Sequence, residues 1–279
     1  VDTVSSIIVY ALLGLTVFLV VGFIGLKISA PLSWPAGEPT GEVEHLPLPD
    51  GLPLAVRQWL SGADNHLSAP AAVVAWGRGS IASRLPLIGR VWLPLSWTLY
   101  LLPGSNFIIQ NRITWFRRRF IRGGEEYRDG KGTYLLGAET LEKPYLDETE
   151  RALAWLYFLW LCPGSLFHLP GVKVTQQDGA AVVTITQPEK APLMYTLEFA
   201  PDSGTLSTIT TTRKGSGSGV EYPYRATFSQ PHAFDEIGTI PTQFIGEWDR
   251  DVYLKLELAG LQFNPDVTEA MQTGIVDLN

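Results

Sequence analysis

Four histidines, His45, His66, His168 and His232, and a single cysteine, Cys162, are the side chains best suited to ligate a transition metal or act as a nucleophile. None has a partner at ligand spacing: there is no His-x-x-x-His and no second thiol, whereas metal sites need several convergent ligands. His45 stands beside Glu44 in a proline-rich stretch and reads as solvated. The run Gly215-Ser216-Gly217-Ser218-Gly219 lacks the Lys-Ser/Thr that completes a phosphate loop and lies between β-like segments, so it reads as a flexible loop. No Gly-x-Ser-x-Gly elbow occurs. Glu125-Glu126, next to Gly123-Gly124, reads as a solvated turn rather than an acid pair. These residues point to a protein that is not an enzyme and has no metal or cofactor of its own.

The one concentrated charge feature is basic. Arg112, Arg117, Arg118, Arg119 and Arg122 interleave with Trp115, Phe116, Phe120 and Ile121. The whole chain carries 21 basic and 28 acidic residues, a net of −7, so without these five charges the remainder stands at −12. That balance lacks the broad positive field that a nucleic-acid backbone requires. Three consecutive arginines cannot share one face of a strand, which implies a bulge, an edge or a change of structure. One reading is protection of a sheet edge. The other is an interfacial patch, with arginine on lipid phosphates or an acidic partner and the aromatic rings at headgroup level.

These residues need elements to position them. Ile7 to Leu26 is an uncharged run of 20 residues, enough to span ~30 Å of hydrocarbon as a helix, and residues 1–30 read as a transmembrane anchor. A cleaved signal peptide is the rival, but the first six residues lack a basic charge and Pro31 follows the small-residue step at Ala30. With Gly14 at zero, Gly25 lies near 20°, Ala11 near 60° and Gly22 near 80° around the helix, a stripe on which another membrane helix could pack. Lys27 alone favours a cytoplasmic domain, whereas a single N-terminal anchor before a large β-rich domain is normally exported. The expected location is therefore the inner or cytoplasmic membrane, with the domain outside the cytoplasm. Pro31, Pro35, Pro39, Pro47 and Pro49 make residues 31–51 an extended linker.

Residues 52–264 read as a β-rich domain and 265–279 as a tail. Asp129-Gly130, Asp178-Gly179 and Pro201-Asp202-Ser203-Gly204 sit between β-like runs and predict three hairpins. Val252, Leu254, Leu256 and Leu258 alternate with Tyr253, Lys255 and Glu257, as do Leu193, Tyr195, Leu197 and Phe199 with Met194, Thr196 and Glu198. The pattern predicts about ten antiparallel strands in one curled sheet. A helix interrupts them, opening on the cap-like Asp147 and Glu150, apolar on every side from Leu153 to Cys162, and stopped by Pro163-Gly164. Such a helix must be buried all round, which places Trp155, Phe158 and Trp160 in the hollow of the sheet and Cys162 among inert core residues.

The combination resembles periplasmic lipoprotein carriers of the LolA/LolB type, and more closely an uncharacterised bacterial family with the same half-barrel. The residues that carry the resemblance are Leu52 to Leu60, Gly89-Arg90-Val91-Trp92-Leu93-Pro94, Pro103 to Phe107, Tyr127 to Gly132, the helix from Arg151 to Pro163, and Gly238-Thr239-Ile240-Pro241. Aromatic residues stand near Trp155 where that family's pattern leads one to expect an acid. The resemblance implies a half-barrel hollow able to hold a lipid or other hydrophobic ligand. The helix stripe and the arginine segment instead favour a single-pass accessory subunit docked on other membrane protein subunits, of a respiratory or photosynthetic complex. A packed plug in the hollow argues for the subunit, and an open cleft for the binding module.

Overall fold

The computed structural model describes residues 3–28, 32, 41–61, 66–85, 89–215, 219–234 and 238–277. The Ala30-Pro31 step and most of the proline-rich linker, including Pro35 and Pro39, lie outside them. Helix α1 (Thr3–Lys27) holds a 21-residue apolar stretch, Ser5–Gly25, with no buried residues in its most apolar window. At 1.5 Å per residue that stretch is about 32 Å long, enough to cross a bilayer. Strand β1 (Glu44–Pro47) then pairs antiparallel with β2 (His66–Ala69) around the short helix α2 (Leu54–Ser61). The C-terminal part of the segment read as linker, His45 included, thus belongs to this ribbon.

The next strands form a meander: β3 (Val73–Leu85), β4 (Gly89–Leu102), β5 (Asn106–Trp115), β6 (Arg118–Arg128), β7 (Lys131–Leu136) and β8 (Glu139–Leu141). Helix α3 (Pro144–Leu161) leads to a second meander of β9 (Val172–Gln177), β10 (Ala180–Ile185), β11 (Leu193–Phe199), β12 (Leu206–Lys214), β13 (Glu221–Phe234), β14 (Gly238–Trp248) and β15 (Asp251–Phe263), followed by α4 (Thr268–Asp277). Antiparallel pairing of β15 with β3 joins the meanders into one 13-stranded sheet, whose edges β8 and β9 do not meet. The sheet has more strands than the expected ten, and its edge strand β8 has only three residues. The Asp-Gly turns connect β6 to β7 and β9 to β10, and the Pro-Asp-Ser-Gly turn connects β11 to β12.

The two strands that join the meanders approach closely. A Cβ on Gly77 of β3 would overlap the Glu257 carbonyl of β15, so only glycine admits this approach, and a bulge between Leu258 and Gly260 adds twist beside it. Helix α3 lies in the concave face against β6, β7, β12 and β14 and is buried along its whole length from Thr149 to Leu161. It begins three residues earlier than expected, with Pro144 in its first turn. Asp147 does not cap it: the Asp147 Oδ1 accepts the Gly132 N–H of β7 at 2.8 Å and ties helix to sheet. Trp160 Nε1 donates to the Pro241 carbonyl at 2.8 Å and Tyr195 OH to that of Ala152 at 2.8 Å.

The outer face carries a smaller core. Met271 and Ile275 of α4 pack on Val74, Trp76 and Ile108, so the segment read as a tail is largely a docked helix. Glu126 on the outer side of β6 accepts the Ile275 N–H at 2.8 Å, and Arg128 donates to the Met271 carbonyl at 2.6 Å.

Candidate functional cavity

Strand polarity sets β3, β5, β7, β12 and β14 to end, and β4, β6, β8, β13 and β15 to begin, on one rim of the sheet, here the upper rim. Below it α3 fills the hollow. Trp155, Phe158 and Trp160 are all buried, with Trp160 set against Phe228, Phe244 and Trp97 at ring separations of 5.8, 5.3 and 6.4 Å. Above α3 the concave face stays open as a cavity of about 990 Å³, at the top of the ~300–1,000 Å³ range of small-molecule sites. Its wall is apolar, built from Ile81, Leu93, Leu95, Ile113, Ile121 and Leu254, and its lining reaches the rim at Gly137, Gly215 and Asp249.

The floor is polar. Asn111 of β5, Glu125 of β6, Tyr134 of β7 and Tyr253 of β15 face the cavity, and behind them Glu150 of α3 meets Arg213 of β12 at 3.8 Å with both side chains fully enclosed. The Arg213 guanidinium lies against both the Tyr224 and the Trp248 ring, 4.9 Å from each centroid, and the two rings meet edge to face 4.9 Å apart. Both carboxylate oxygens of Glu150, the Tyr157 hydroxyl and Asn111 Oδ1 are buried with no hydrogen-bond partner among the described residues. Burial holds Glu150 well above the ordinary carboxylate range, Glu125 adds to the shift, and Arg213 opposes it. Burial likewise raises Glu125 against the pull of Arg213. Tyr134 is pushed up to about 12 by burial, then by Glu125 and Glu150. Burial opposes the charge on Arg213, but Glu150, Tyr253 and Glu125 outweigh it and keep the guanidinium protonated. Two carboxyls therefore share one cation, and because Glu150 is the one in contact with it, Glu125 is the acid presented to the cavity.

Sequence reading missed this floor. Glu125 and Glu126 are not a turn: they occupy opposite faces of β6, one toward the cavity and the other toward α4. Glu150 is not a cap. It is an acid of the inserted helix, a little over one turn before Trp155. Tyr253, expected on the wet face, sits at a register shift opposite Gly246-Glu247 that turns it inward, its hydroxyl 3.2 Å from that of Tyr224. Burial raises the Cys162 thiol, which leaves it without thiolate character. Among the described residues no group of three or more His, Cys, Asp or Glu could hold a metal.

Of the remaining site candidates, Gly22, Gly25, Trp115 and Arg117 meet at the upper rim. Phe116 and Arg117 have φ of 46° and 64° and form the tight turn between β5 and β6, with a bulge below it that leaves Phe120 unpaired. This turn docks on the end of α1. Trp115 Nε1 donates to the Gly22 carbonyl at 3.1 Å, and the Phe116 and Arg117 amides donate to the Gly25 and Ile28 carbonyls at 2.9 and 3.4 Å. A Cβ on Gly25 would overlap the Trp115 indole and stand 2.6 Å from the Phe116 ring. Gly22 and Gly25 thus receive the chain's own turn, while Ala11 and Gly14 face outward. Arg112 and Arg122 are register partners on the outer face, Arg112 donating to Gln110 Oε1 at 2.8 Å. Arg117, Arg118 and Arg122 are exposed, and the Arg119 backbone pairs with Thr114.

No family model and no curated protein matches the chain. Solved structures do. A putative outer membrane lipoprotein-sorting protein domain from Vibrio parahaemolyticus is 8% identical over 72% of this chain and 88% of its own, with a TM-score of 0.38. A LolA superfamily protein from Nitrosomonas europaea is 8% identical over 72% and 90%, with a TM-score of 0.40. A DUF1329 family protein from Desulfovibrio piger is 13% identical over 72% and 89%, with a TM-score of 0.38.

Proposed function

We propose that this chain is a membrane-anchored, non-enzymatic binding module that holds an amphipathic molecule of the lipid class in the cavity above α3. One observation carries the reading: the inserted helix fills only the lower part of the hollow and leaves about 990 Å³ with an apolar wall and a polar floor. Helix α1 is the anchor. Glu125 favours a ligand head that donates hydrogen bonds, an ammonium or a hydroxyl, because the one guanidinium is already in contact with Glu150 and none is left to pair an anionic head.

The test is uptake of a fluorescent phosphatidylethanolamine by the full chain in detergent, compared with a variant carrying Leu93→Trp and Ile121→Trp. Both residues are half-buried on the cavity wall, so the larger rings project into the space. Saturable uptake by the wild type and its loss in the variant is the expected result. Equal uptake by both would place the lipid elsewhere and defeat the proposal.

The reading as an accessory subunit of a larger membrane complex has no observation that favours it, because the apolar window of α1 has no buried residue and Ala11 and Gly14 are not singled out. Gentle extraction followed by native mass measurement decides it, since a free monomer leaves only the binding module.

A further inference from the structure

The end of α1 and the mouth of the cavity lie on the same rim. The apolar stretch of α1 finishes at Gly25, and the Gly22, Gly25 and Ile28 carbonyls are the ones that hold the β5–β6 turn. The turn is thereby fixed at the depth where a spanning helix leaves hydrocarbon for the headgroup layer. The same flank bears an unusual share of exposed ring surface. Trp92, Trp115, Phe116 and Phe120 are 39, 38, 38 and 66% exposed, and they stand near the rim on β4, β5, the β5–β6 turn and β6. Arg84, Arg117, Arg118 and Arg122 are exposed between and beside them, the stretches 81–96 and 112–122 contain no acid, and Asp251 of the adjoining β15 is paired with Arg90. Aromatic rings among arginines at this depth match the chemistry of an anionic lipid surface. The turn itself supports a contact role. Positive φ at Phe116 and Arg117 is unfavourable for large side chains, and a turn freed from other demands would carry Asn-Gly there.

We infer that this flank of the rim rests in the anionic headgroup layer of the membrane spanned by α1, so that the cavity opens at the bilayer surface and exchanges its ligand with that leaflet. The docking rests on α1 as the anchor and is independent of whether the cavity is occupied, whereas the exchange rests also on the proposed ligand. It makes the rim a docking surface for lipid, with Arg117 and Arg118 on phosphates and Phe120 in the outer acyl region.

Because the single cysteine is buried, a cysteine introduced at the surface can be labelled alone. The full chain bearing Phe120→Cys or, at the opposite rim, Asp202→Cys is labelled with nitrobenzoxadiazole. Each is reconstituted in nanodiscs of phosphatidylcholine alone or of phosphatidylcholine and phosphatidylglycerol in equal parts. The label at position 120 is expected to shift to the blue and to be quenched by lipids brominated near the headgroup. Both effects should be stronger with phosphatidylglycerol, weakened by salt, and reduced to the phosphatidylcholine level by Arg117→Gln with Arg118→Gln. The label at position 202 should show neither. Retention of the chain in discs after alkaline washing reports the anchor separately. A chain that stays inserted with an unquenched label at 120 overturns the docking alone, and a chain that washes out overturns the anchor and the docking together.

Discussion

Replacing Arg213 by methionine keeps an unbranched side chain against the Tyr224 and Trp248 rings and removes the one cation that Glu150 and Glu125 share. The Arg213 and Glu150 side chains have no exposed surface, so a carboxylate left there alone enters the folded state protonated. Glu150 already lies well above the ordinary value of 4.5 with Arg213 beside it, so the variant loses only the part of the stabilisation that the cation supplies, and breaking a buried pair costs about 3–5 kcal/mol in general. Glu125 reaches the cavity and retains part of its hydration, so one carboxyl sets the scale. The sign follows from linkage: a carboxyl raised in the folded state binds more protons there than in the unfolded chain. Its stabilising effect is complete below pH 4.5 and is lost as the pH rises toward the folded value. The Arg213→Met variant is therefore expected to lose about 3–5 kcal/mol at pH 7 and less at pH 5, where a protonated carboxyl costs less to hold. Urea unfolding of the full chain in detergent, followed by tryptophan emission, measures both. Adding Glu150→Leu to the variant should restore most of the loss at pH 7. An equal loss at the two pH values, or a loss under about 1 kcal/mol at pH 7, would refute a charge-sharing cluster.

Trp160→Ala removes a ring that is 1% exposed at the centre of the aromatic core and should cost about 3–5 kcal/mol in the same urea assay; a smaller effect would mean that the hollow collapses around the gap. Asn264 holds the Ala71 and Ala72 amides at 2.7 and 3.3 Å and the Glu42 carbonyl at 2.7 Å from a position with φ of 49°. Asn264→Gly keeps that backbone and loses the three bonds, with about 2–3 kcal/mol of destabilisation and faster hydrogen exchange at Ala71 and Ala72 as the signature. Gly25→Leu should release the β5–β6 turn and deprotect the Phe116 amide, whereas Gly14→Leu, with nothing within 4 Å of the new Cβ, should leave that amide unchanged; identical exchange in the two variants would count against the docked turn.

Much of the sheet was legible because its signals are local. Asp129-Gly130 and Asp178-Gly179 specify their turns within a few residues, and the alternation in β11 and β15 needs no knowledge of the partner strand. The burial of α3 followed from apolar residues on every side. The cavity floor was not legible, because Glu125, Glu150 and Arg213 come from three elements and are ordinary in their own neighbourhoods. Only the pairing of β15 with β3, and the return of α3 through the hollow, bring them together. Tyr253 was misplaced because a bulge reverses the facing of a residue without any mark in the alternation. The arginine run did announce a change of structure. That its turn would close on Gly22 and Gly25, some 90 residues earlier, was not readable from either segment.

The seam between β3 and β15 also governs how the chain can be made. Residues 86–250, 165 in all, lie between those two strands, and at about 5–20 residues per second a ribosome needs about 8–33 s to synthesise them. Throughout that interval the side of β3 that later pairs with β15 has no neighbour. Val73, Val74, Ala75 and Trp76 lie along it, an apolar, β-prone edge of the kind that recruits other chains. Completion of the sheet waits for a contact of very long sequence separation, which is slow by loop-closure entropy alone. The nascent protein is therefore most prone to aggregate after its first meander has emerged and before its last strand has, and slower translation of the second meander lengthens that period.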